Sequence, residues 1–379
     1  MRFHVLDGWR GVCALLVAIF HINALGHFYG VPLIRHGLLF VDFFFVLSGF
    51  VITHAYAERV SAGGVRDFII RRIGRLWPLH LALLVALIGV EFVKLALEMQ
   101  GISYGRGVFT RDAEPWAIVT NVLMIHGWGI HPYLTWNNPS WSISAEWAAY
   151  LAFAAVYALA PRRAGVFAVL LGLVSLVLLI FAAPERMAST FDFGLARCGL
   201  GFCLGHLTYR AWKASSPPPW PTLVEFAALG AAVVVVSLAS PLTWGVVAPF
   251  VFAAAVYVFA WQGGWVSKWM SGIVGRKLGE WSYSIYMVQG LMFSVLTPAL
   301  ALAWPRFGWG EVVRREGDKV LLAFSPWWSD VYALACLAVL IGCSALTYRL
   351  IEAPGRDLFA RLAAARPAPE PVKVADERV

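Results

Sequence analysis

The stretch DGWRGVCALLVAIFHIN, residues 7–23, decides the fold class, because it is apolar enough to cross a membrane and still holds an arginine and a histidine. Arg10 and His21 lie eleven residues apart, which on an α-helix is three turns plus about 20°. Both side chains therefore leave the same face of the helix, about 16 Å apart along its axis. Ionisable groups at such depth usually face the interior of a helix bundle, so the stretch predicts a protein-lined polar face.

The composition extends this interpretation to the whole chain. Of the 379 residues, 60% are hydrophobic and 14% are charged, and apolar runs near twenty residues recur almost to the end. Runs of this length suit helices that cross a bilayer. We predict an all-α polytopic membrane bundle of about ten transmembrane helices, at residues 10–26, 38–57, 77–97, 144–160, 165–183, 191–210, 222–240, 244–262, 281–303 and 329–350.

The basic residues give the orientation. With the N-terminus in the cytoplasm, most Lys and Arg residues fall in cytoplasmic segments, which explains the formal net charge of +8 without a nucleic-acid partner. An eleventh apolar segment at 116–128 is short for a crossing and would reverse this balance, so we expect it to be interfacial or re-entrant. Both termini are then cytoplasmic, with a membrane domain over residues 1–356 and a disordered tail over 357–379.

Two candidate catalytic groups accompany Arg10. Histidine titrates near neutrality, so His21 is either a base toward a hydroxyl or a structural hydrogen-bond partner for a neighbouring helix. Arg10 either lines the same cavity or extends to the headgroups beside Asp7. Asp42, in the outer part of the second span, either orients the His21 imidazole or caps its own helix.

The stretch RDFIIRRIGRLWP, residues 66–78, carries four arginines on the cytoplasmic side. Guanidinium groups bind phosphate through several hydrogen bonds, so Arg71, Arg72 and Arg75 are candidate contacts to a phosphate-bearing cofactor. The alternative is ordinary cytoplasmic topology charge.

A polar loop, NNPSWSISAEWAAY, leads into the fourth span at residues 137–150. Glu146 lies one or two turns inside that helix, near Trp141 and Ser142. A serine and a nearby acid are typical of a helix cap. Sugars also stack on aromatic rings and bind carboxylates, so these three residues are equally candidates for catalysis and substrate binding.

A second polar ridge lies on the ninth predicted span, in GEWSYSIYMVQG at residues 279–290. Tyr283, Tyr286 and Gln289 recur at spacings of three and face one side of the helix. Interfacial tyrosines are common in membrane proteins, but Gln289 lies deeper and is expected to face the bundle. All three are candidate substrate-binding residues.

We predict no metal site. The five cysteines lie in apolar segments, and the loop histidines His126 and His131 have no third candidate ligand nearby. An intramembrane protease or metal enzyme is therefore a weak alternative.

Taken in order, these pieces resemble acyltransferase family 3, a family of integral membrane acyltransferases. The resemblance runs from residue 6 to about residue 356. The motifs that carry it are LDGWRG with ten residues between Arg10 and His21, DFFFVLSGFVI (42–52), RRIGRLWPL (71–79), WSISAEW (141–147), WSYSIYMVQ (281–289) and YRLIEAP (348–354).

The resemblance implies an inner-membrane O-acyltransferase that moves an acyl group, commonly acetyl, from cytoplasmic acyl-CoA to a hydroxyl of a cell-envelope or exported glycan. Acyl-CoA would be a donor substrate, and no cofactor would be permanently bound. The resemblance implies that His21 is the base or the acyl-carrying residue, that Arg10 is its partner, and that Arg72 and Arg75 contact the coenzyme. The chain would act in membrane lipid, alone or with a separate extracytoplasmic protein.

One position departs from the family pattern. Many members have a histidine where this chain has Gln289, which cannot titrate, so a proton relay there is not expected. The alternative function is a transporter of a sugar or lipid-linked saccharide that uses the same polar cavity. Transporters often contain inverted repeats and broken helices, and neither is evident in the sequence.

Overall fold

The computed structural model describes residues 2–102, 107–304, 313–316 and 319–365. Helices dominate this part of the chain, so the predicted all-α membrane bundle is confirmed. The helices are α1 (His4–His21), α2 (Pro32–Arg35), α3 (Phe40–Ser61), α4 (Val65–Glu98), α5 (Ala117–Val122), α6 (Trp141–Leu159), α7 (Ala164–Val177), α8 (Gly194–Lys213), α9 (Pro221–Leu238), α10 (Ala248–Ala260), α11 (Trp265–Met270), α12 (Ile273–Ala303), α13 (Pro326–Thr347) and α14 (Ala353–Ala364). A small antiparallel hairpin, not predicted from the sequence, joins β1 (Val313–Glu316) to β2 (Lys319–Leu322).

A helix overlaps each of the ten predicted windows. Among the described residues, seven helical segments are long and apolar enough to cross a membrane. They are Gly37–Ser61, Val65–Glu98, Asn138–Leu159, Pro161–Ala182, Pro221–Leu238, Ile273–Leu300 and Pro326–Ala364. The apolar helix Trp244–Ala260 is shorter, and α1 and α8 carry charged and polar residues. The count of ten crossings stays a prediction.

The segment 116–128 does not form a spanning helix. Its helix, α5, has six residues, which is about 9 Å and far short of a bilayer. The directions of the neighbouring helices support this. A crossing at 116–128 would make α6 antiparallel to α3, whereas the two helices run in the same direction. The Phe45 ring contacts the Trp141 ring at 6.0 Å, and further along both helices Ser48 lies 3.2 Å from the Tyr150 hydroxyl.

The residues between the second and third predicted spans, 58–76, are mostly helical. The α3 helix ends at Ser61 and α4 begins at Val65. Gly63 makes the turn between them with a φ of +92°, a conformation that side chains other than glycine rarely adopt. From Val65 to Pro78 the chain holds no helix breaker except Gly74, so its arginines are carried on the first turns of α4.

Glycines allow close packing of the two helix pairs that build the centre of the bundle. A Cβ on Gly11 of α1 would lie 2.5 Å from the Leu278 carbonyl carbon of α12, and a Cβ on Gly205 of α8 would overlap the Val46 carbonyl of α3. Small residues let membrane helices approach in this way. In both pairs the contacts advance together along the chain, so the paired helices are parallel.

The predicted domain boundary at residue 356 falls inside α14. Phe359 packs against Gly74 and Trp77 of α4, and Gly355 packs against Pro78. The first residues of the predicted tail are therefore held by an aromatic contact to α4. Residues 366–379, the rest of that prediction, lie outside the described residues.

Candidate active site

A cavity of about 130 Å³ lies among α1, α3, α4, α6 and α12. Seven of the predicted site residues line it, namely Arg10, Arg72, Arg75, Ser142, Glu146, Tyr283 and Tyr286. The structure adds the hydroxyl groups of Ser48, Tyr150 and Ser282 to the same wall. Residues more than 270 positions apart in the sequence are thus brought around one space.

Arg10 is fixed to α12. Its Nε donates to Ser282 Oγ at 2.7 Å and its Nη2 donates to the Gly279 carbonyl at 3.1 Å, while Asp7 lies 3.3 Å away. The predicted ion pair with Asp7 is therefore present, but Arg10 also lines the cavity.

Arg75 is held by a buried carboxylate. Its guanidinium pairs with Glu352, which also accepts from the Ser284 hydroxyl at 2.7 Å, and it lies 5.2 Å over the Tyr283 ring. Glu352 was not among the residues predicted to form the site. The sequence feature that could have identified it is its position in the closing motif YRLIEAP, where an acid lies next to an apolar span.

Arg72 is less constrained. Its Nη2 donates to the Tyr56 hydroxyl at 2.8 Å, and its Cζ lies 4.8 Å from the Tyr56 ring and 5.7 Å from the Tyr150 ring. Its buried Nε has no acceptor among the described residues. Buried donors are normally hydrogen-bonded, so this atom can serve a bound anion. Arg71, by contrast, is half-exposed, pairs with Asp67 at 2.9 Å, and does not line the cavity.

Hydroxyl groups surround the carboxylate on the other wall. Tyr150 donates to Glu146 Oε1 at 2.6 Å. The Ser142 and Tyr286 hydroxyls lie 2.8 Å apart, and each lies within hydrogen-bond distance of the Pro139 carbonyl, so one hydroxyl donates to the other and the second donates to the carbonyl. Glu146 is the one carboxylate lining this cavity in the described part of the chain. The cavity therefore combines anion-binding groups on one wall with hydrogen-bonding groups for a hydroxylated ligand on the other.

His21 lies outside this lining, at the last residue of α1. Its ring is half-buried beside Phe20, and its Nδ1 lies 2.9 Å from the Val17 carbonyl. Because a carbonyl only accepts, Nδ1 carries the proton in the neutral ring and Nε2 carries the basic lone pair. Arg10 and His21 share a helix face, but of these two residues only Arg10 lines the cavity.

Asp42 has a different partner from the one expected. Arg197 donates to both of its oxygens, at 2.7 and 3.3 Å, and both side chains are almost fully buried. No side chain caps α3. Arg197 also binds the carbonyls of Ser189 and Leu38. Asp42 therefore compensates a buried cation, an arrangement absent from both alternatives considered for it.

The two remaining predicted residues lie behind the cavity wall. Trp141 is buried against Gly194, with the Arg197 guanidinium 5.1 Å from its ring. Gln289 is 0% exposed, and neither atom of its amide has a hydrogen-bond partner among the described residues. Neither residue contacts the cavity. In the described ranges no group of three or more His, Cys, Asp or Glu residues could hold a metal ion.

Comparisons with known proteins identify acyltransferases among the relatives of this chain. Acyltransferase MdmB of Streptomyces mycarofaciens is 28% identical over 98% of this chain and 96% of its own length. Protein 2 in the picA locus of Rhizobium radiobacter is 35% identical over 48% of this chain and 96% of its own. A Staphylococcus aureus (strain COL) protein, whose name assigns it O-acetyltransferase activity provisionally, is 24% identical over 74% of this chain and 49% of its own.

No solved structure matches the chain significantly. The acyltransferase domain model of acyltransferase family 3 matches residues 3–348, which is nearly the whole chain. The cavity of this chain is lined by arginines, a carboxylate and tyrosines that belong to the motifs quoted above. The protein is an acyl-transferring enzyme that belongs to acyltransferase family 3.

Proposed function

We propose that this enzyme transfers an acyl group, acetyl in the simplest case, from cytoplasmic acyl-CoA to a hydroxyl of a cell-envelope or exported glycan. The observation that carries the proposal is the convergence of three arginines, Glu146 and three tyrosine hydroxyls around one cavity inside a membrane bundle. The arginine wall suits the phosphates of coenzyme A. The carboxylate and hydroxyl wall suits a polyhydroxylated acceptor.

The cavity size favours a short acyl group. A volume of about 130 Å³ is well below the roughly 300 to 1,000 Å³ of pockets that enclose whole drug-sized ligands. It has room for a small acyl group on the pantetheine arm, which would pass through the cavity towards His21, while the phosphates lie at the arginine wall and the adenosine lies outside. This supports acetyl or a similarly small group as the natural cargo.

In the proposed reaction, His21 Nε2 takes the proton of the acceptor hydroxyl. The oxygen attacks the thioester carbonyl carbon, the C–S bond breaks, and the coenzyme A thiolate leaves with the proton from the imidazolium. The products are an ester and free coenzyme A. Because His21 lies about 16 Å beyond Arg10 along α1, the extended pantetheine arm would carry the thioester between them.

The proposal also includes an inner-membrane location, ten crossings and cytoplasmic termini. Parallel packing of α1 with α12 and of α3 with α6 supports it, because ten crossings give each pair the same direction. A separate extracytoplasmic protein would be needed only if the acceptor is a polymer beyond the reach of the membrane site.

The test uses purified full-length protein with labelled acetyl-CoA and a glycan acceptor. We expect His21→Ala to lower acyl transfer by about 10² to 10⁴-fold, the usual contribution of a general base. His36→Ala is the matched control, because His36 is also half-buried and its Nδ1 also lies 2.9 Å from a backbone carbonyl. Unchanged turnover in His21→Ala would remove His21 from the mechanism.

A second arm tests the reaction class itself. An acyltransferase consumes acetyl-CoA and releases coenzyme A in proportion to acceptor, whereas a saccharide transporter leaves acetyl-CoA intact. Comparison of acetyl-CoA with palmitoyl-CoA tests the proposed preference for short groups. Mass spectrometry of glycans from cells with and without the protein then identifies the acceptor.

A further inference from the structure

A second cavity of about 260 Å³ lies between α6, α7 and α8. Its lining is almost wholly apolar, and small residues such as Ala148, Ala152 and Ala168 form much of it. An aromatic wall divides it from the candidate active site, because Tyr150 lines the first cavity and packs at 6.3 Å against Phe202, which lines the second. We call this second cavity the α6–α8 groove.

One end of the groove is polar. His206 lines it and is 3% exposed, with Nδ1 lying 3.1 Å from Thr53 Oγ1. The other ring nitrogen, Nε2, is buried and has no partner among the described residues. A buried imidazole nitrogen in that state is a hydrogen-bonding site that the protein itself does not fill.

The same end carries uncompensated positive charge. Arg210 lies one helical turn beyond His206, about 6 Å along α8, and its guanidinium covers Gly165 at the start of α7. Arg162 and Arg163 lie in the preceding turn. Within the described ranges no carboxylate forms an ion pair with any of these three arginines. The N-terminus of α7 adds the positive end of a helix dipole.

We propose that the α6–α8 groove binds one anionic glycerophospholipid from the surrounding membrane. An alkyl chain fills the groove, and the phosphate binds Arg210 beside the start of α7. In the tautomer in which His206 Nδ1 accepts from the Thr53 hydroxyl, the Nε2–H donates to an ester oxygen of the lipid. The order of the protein groups along α8 is the order of these parts along a phospholipid. A cytoplasmic arginine cluster is also where anionic lipid headgroups lie.

The alkyl chain of an acyl donor is a poorer occupant. Its thioester would have to lie in the active-site cavity, on the far side of the Tyr150 and Phe202 wall. The open polar end of the groove faces Arg210 instead. Since lipid tails are as apolar as the groove, the chain itself gives little affinity, and selectivity must come from the headgroup.

The test counts lipids retained by the purified full-length protein in native mass spectrometry, after exchange into mixed micelles of detergent with phosphatidylglycerol or phosphatidylcholine. We expect one retained phosphatidylglycerol and at least about tenfold weaker retention of phosphatidylcholine. Arg210→Gln should lower phosphatidylglycerol retention about tenfold. Lys213→Gln removes the same charge from the same helix end but from a cation already paired with Glu58, so it should change retention less than about twofold.

A second variant pair tests the groove. Ala152→Phe places a ring in the cavity and should abolish retention. Ala155→Phe, on the exposed side of the same helix and outside the lining, should not. Retention of phosphatidylglycerol by Ala152→Phe at the wild-type level would overturn the proposed site. Equal retention of both lipids, unaffected by Arg210→Gln, would also overturn it, because the retained lipid would then be ordinary boundary lipid. Displacement of the lipid by palmitoyl-CoA would assign the groove to the acyl donor and also overturn the proposal. Arg210 is exposed, so its variant keeps the test decisive if Ala152→Phe does not fold.

Discussion

Replacement of Asp42 by asparagine should destabilise the protein without acting on the chemistry directly. Asp42 is 0% exposed and Arg197 is 1% exposed, so the substitution leaves a guanidinium charge inside the bundle without its carboxylate. Removing one partner of a buried ion pair costs about 3 to 5 kcal/mol. Two backbone carbonyls and the face of Trp141 still contact Arg197. We therefore expect a loss near the lower end, about 3 kcal/mol.

The assay is a double-mutant cycle on the free energy of unfolding, measured by SDS titration in mild micelles. Asp42→Asn and Arg197→Gln should each be strongly destabilising, and the double variant should lose less than either, because no uncompensated charge remains. Acyl transfer should follow stability through the series. A structural role for Asp42 is refuted if Asp42→Asn abolishes transfer while the unfolding free energy stays within about 0.5 kcal/mol of the wild-type value.

Three further predictions concern the cavity and the segment 117–137. In a steady-state assay, Arg72→Gln should raise the KM for acyl-CoA about tenfold or more, with a smaller effect on kcat. The control is Arg71→Gln, which removes a surface charge paired with Asp67 and should change KM less than about twofold. Glu146→Gln keeps an acceptor for the Tyr150 hydroxyl but loses the charge, so we expect kcat to fall with the unfolding free energy little changed; equal losses in both would assign Glu146 a structural role. Burial, with a smaller contribution from neighbouring His80, lowers the pKa of His126 to about 3 from 6.5. The native state therefore loses stability as the pH falls from about 6.5 towards 3. The hydrogen-exchange protection factors of residues 117–137, which correct for the slower intrinsic exchange at low pH, should fall over that range, and they should fall less in His126→Gln.

Local sequence patterns located most of the candidate site because its groups recur at helical spacings. Tyr283 and Tyr286 lie three residues apart and Ser142 and Glu146 four, so each pair shares a helix face wherever the helix packs. A helix repeat does not define how far a cavity extends along the helix, however. The shared face of Arg10 and His21 follows from the repeat, but the position of the cavity at Arg10 depends on the surrounding helices.

Partners distant in sequence could not be predicted in the same way. The Asp42–Arg197 pair spans 155 residues and the Arg75–Glu352 pair spans 277. Neither pair has a spacing that one sequence can reveal. A buried charge does signal that some compensating partner exists, and Arg197 inside a predicted span was such a signal for Asp42. The helical start of α4 was missed for another reason, because the apolar window that predicts the third span begins only at residue 77, whereas the helix begins at Val65.

One helix, α12, holds the groups of the cavity in register. Arg10 of α1 is bound by Gly279 and Ser282 of α12, and Ser142 of α6 is bound by Tyr286 of the same helix. Arg75 of α4 is linked to it as well, because Ser284 donates to the carboxylate that pairs with Arg75. The close glycine contact between α1 and α12 prevents these helices from sliding past each other.

This arrangement explains why the family motifs are spread along the chain. Catalytic geometry must be kept to a fraction of an ångström, and groups on separate helices can be kept so only if a common element binds each of them. The motif WSYSIYMVQ on α12 supplies that element, and the motifs around Arg10, Arg75, Ser142 and Glu352 supply what it binds. A change in any one of these segments alters the position of the others, so the motifs act together although they are separated by most of the sequence.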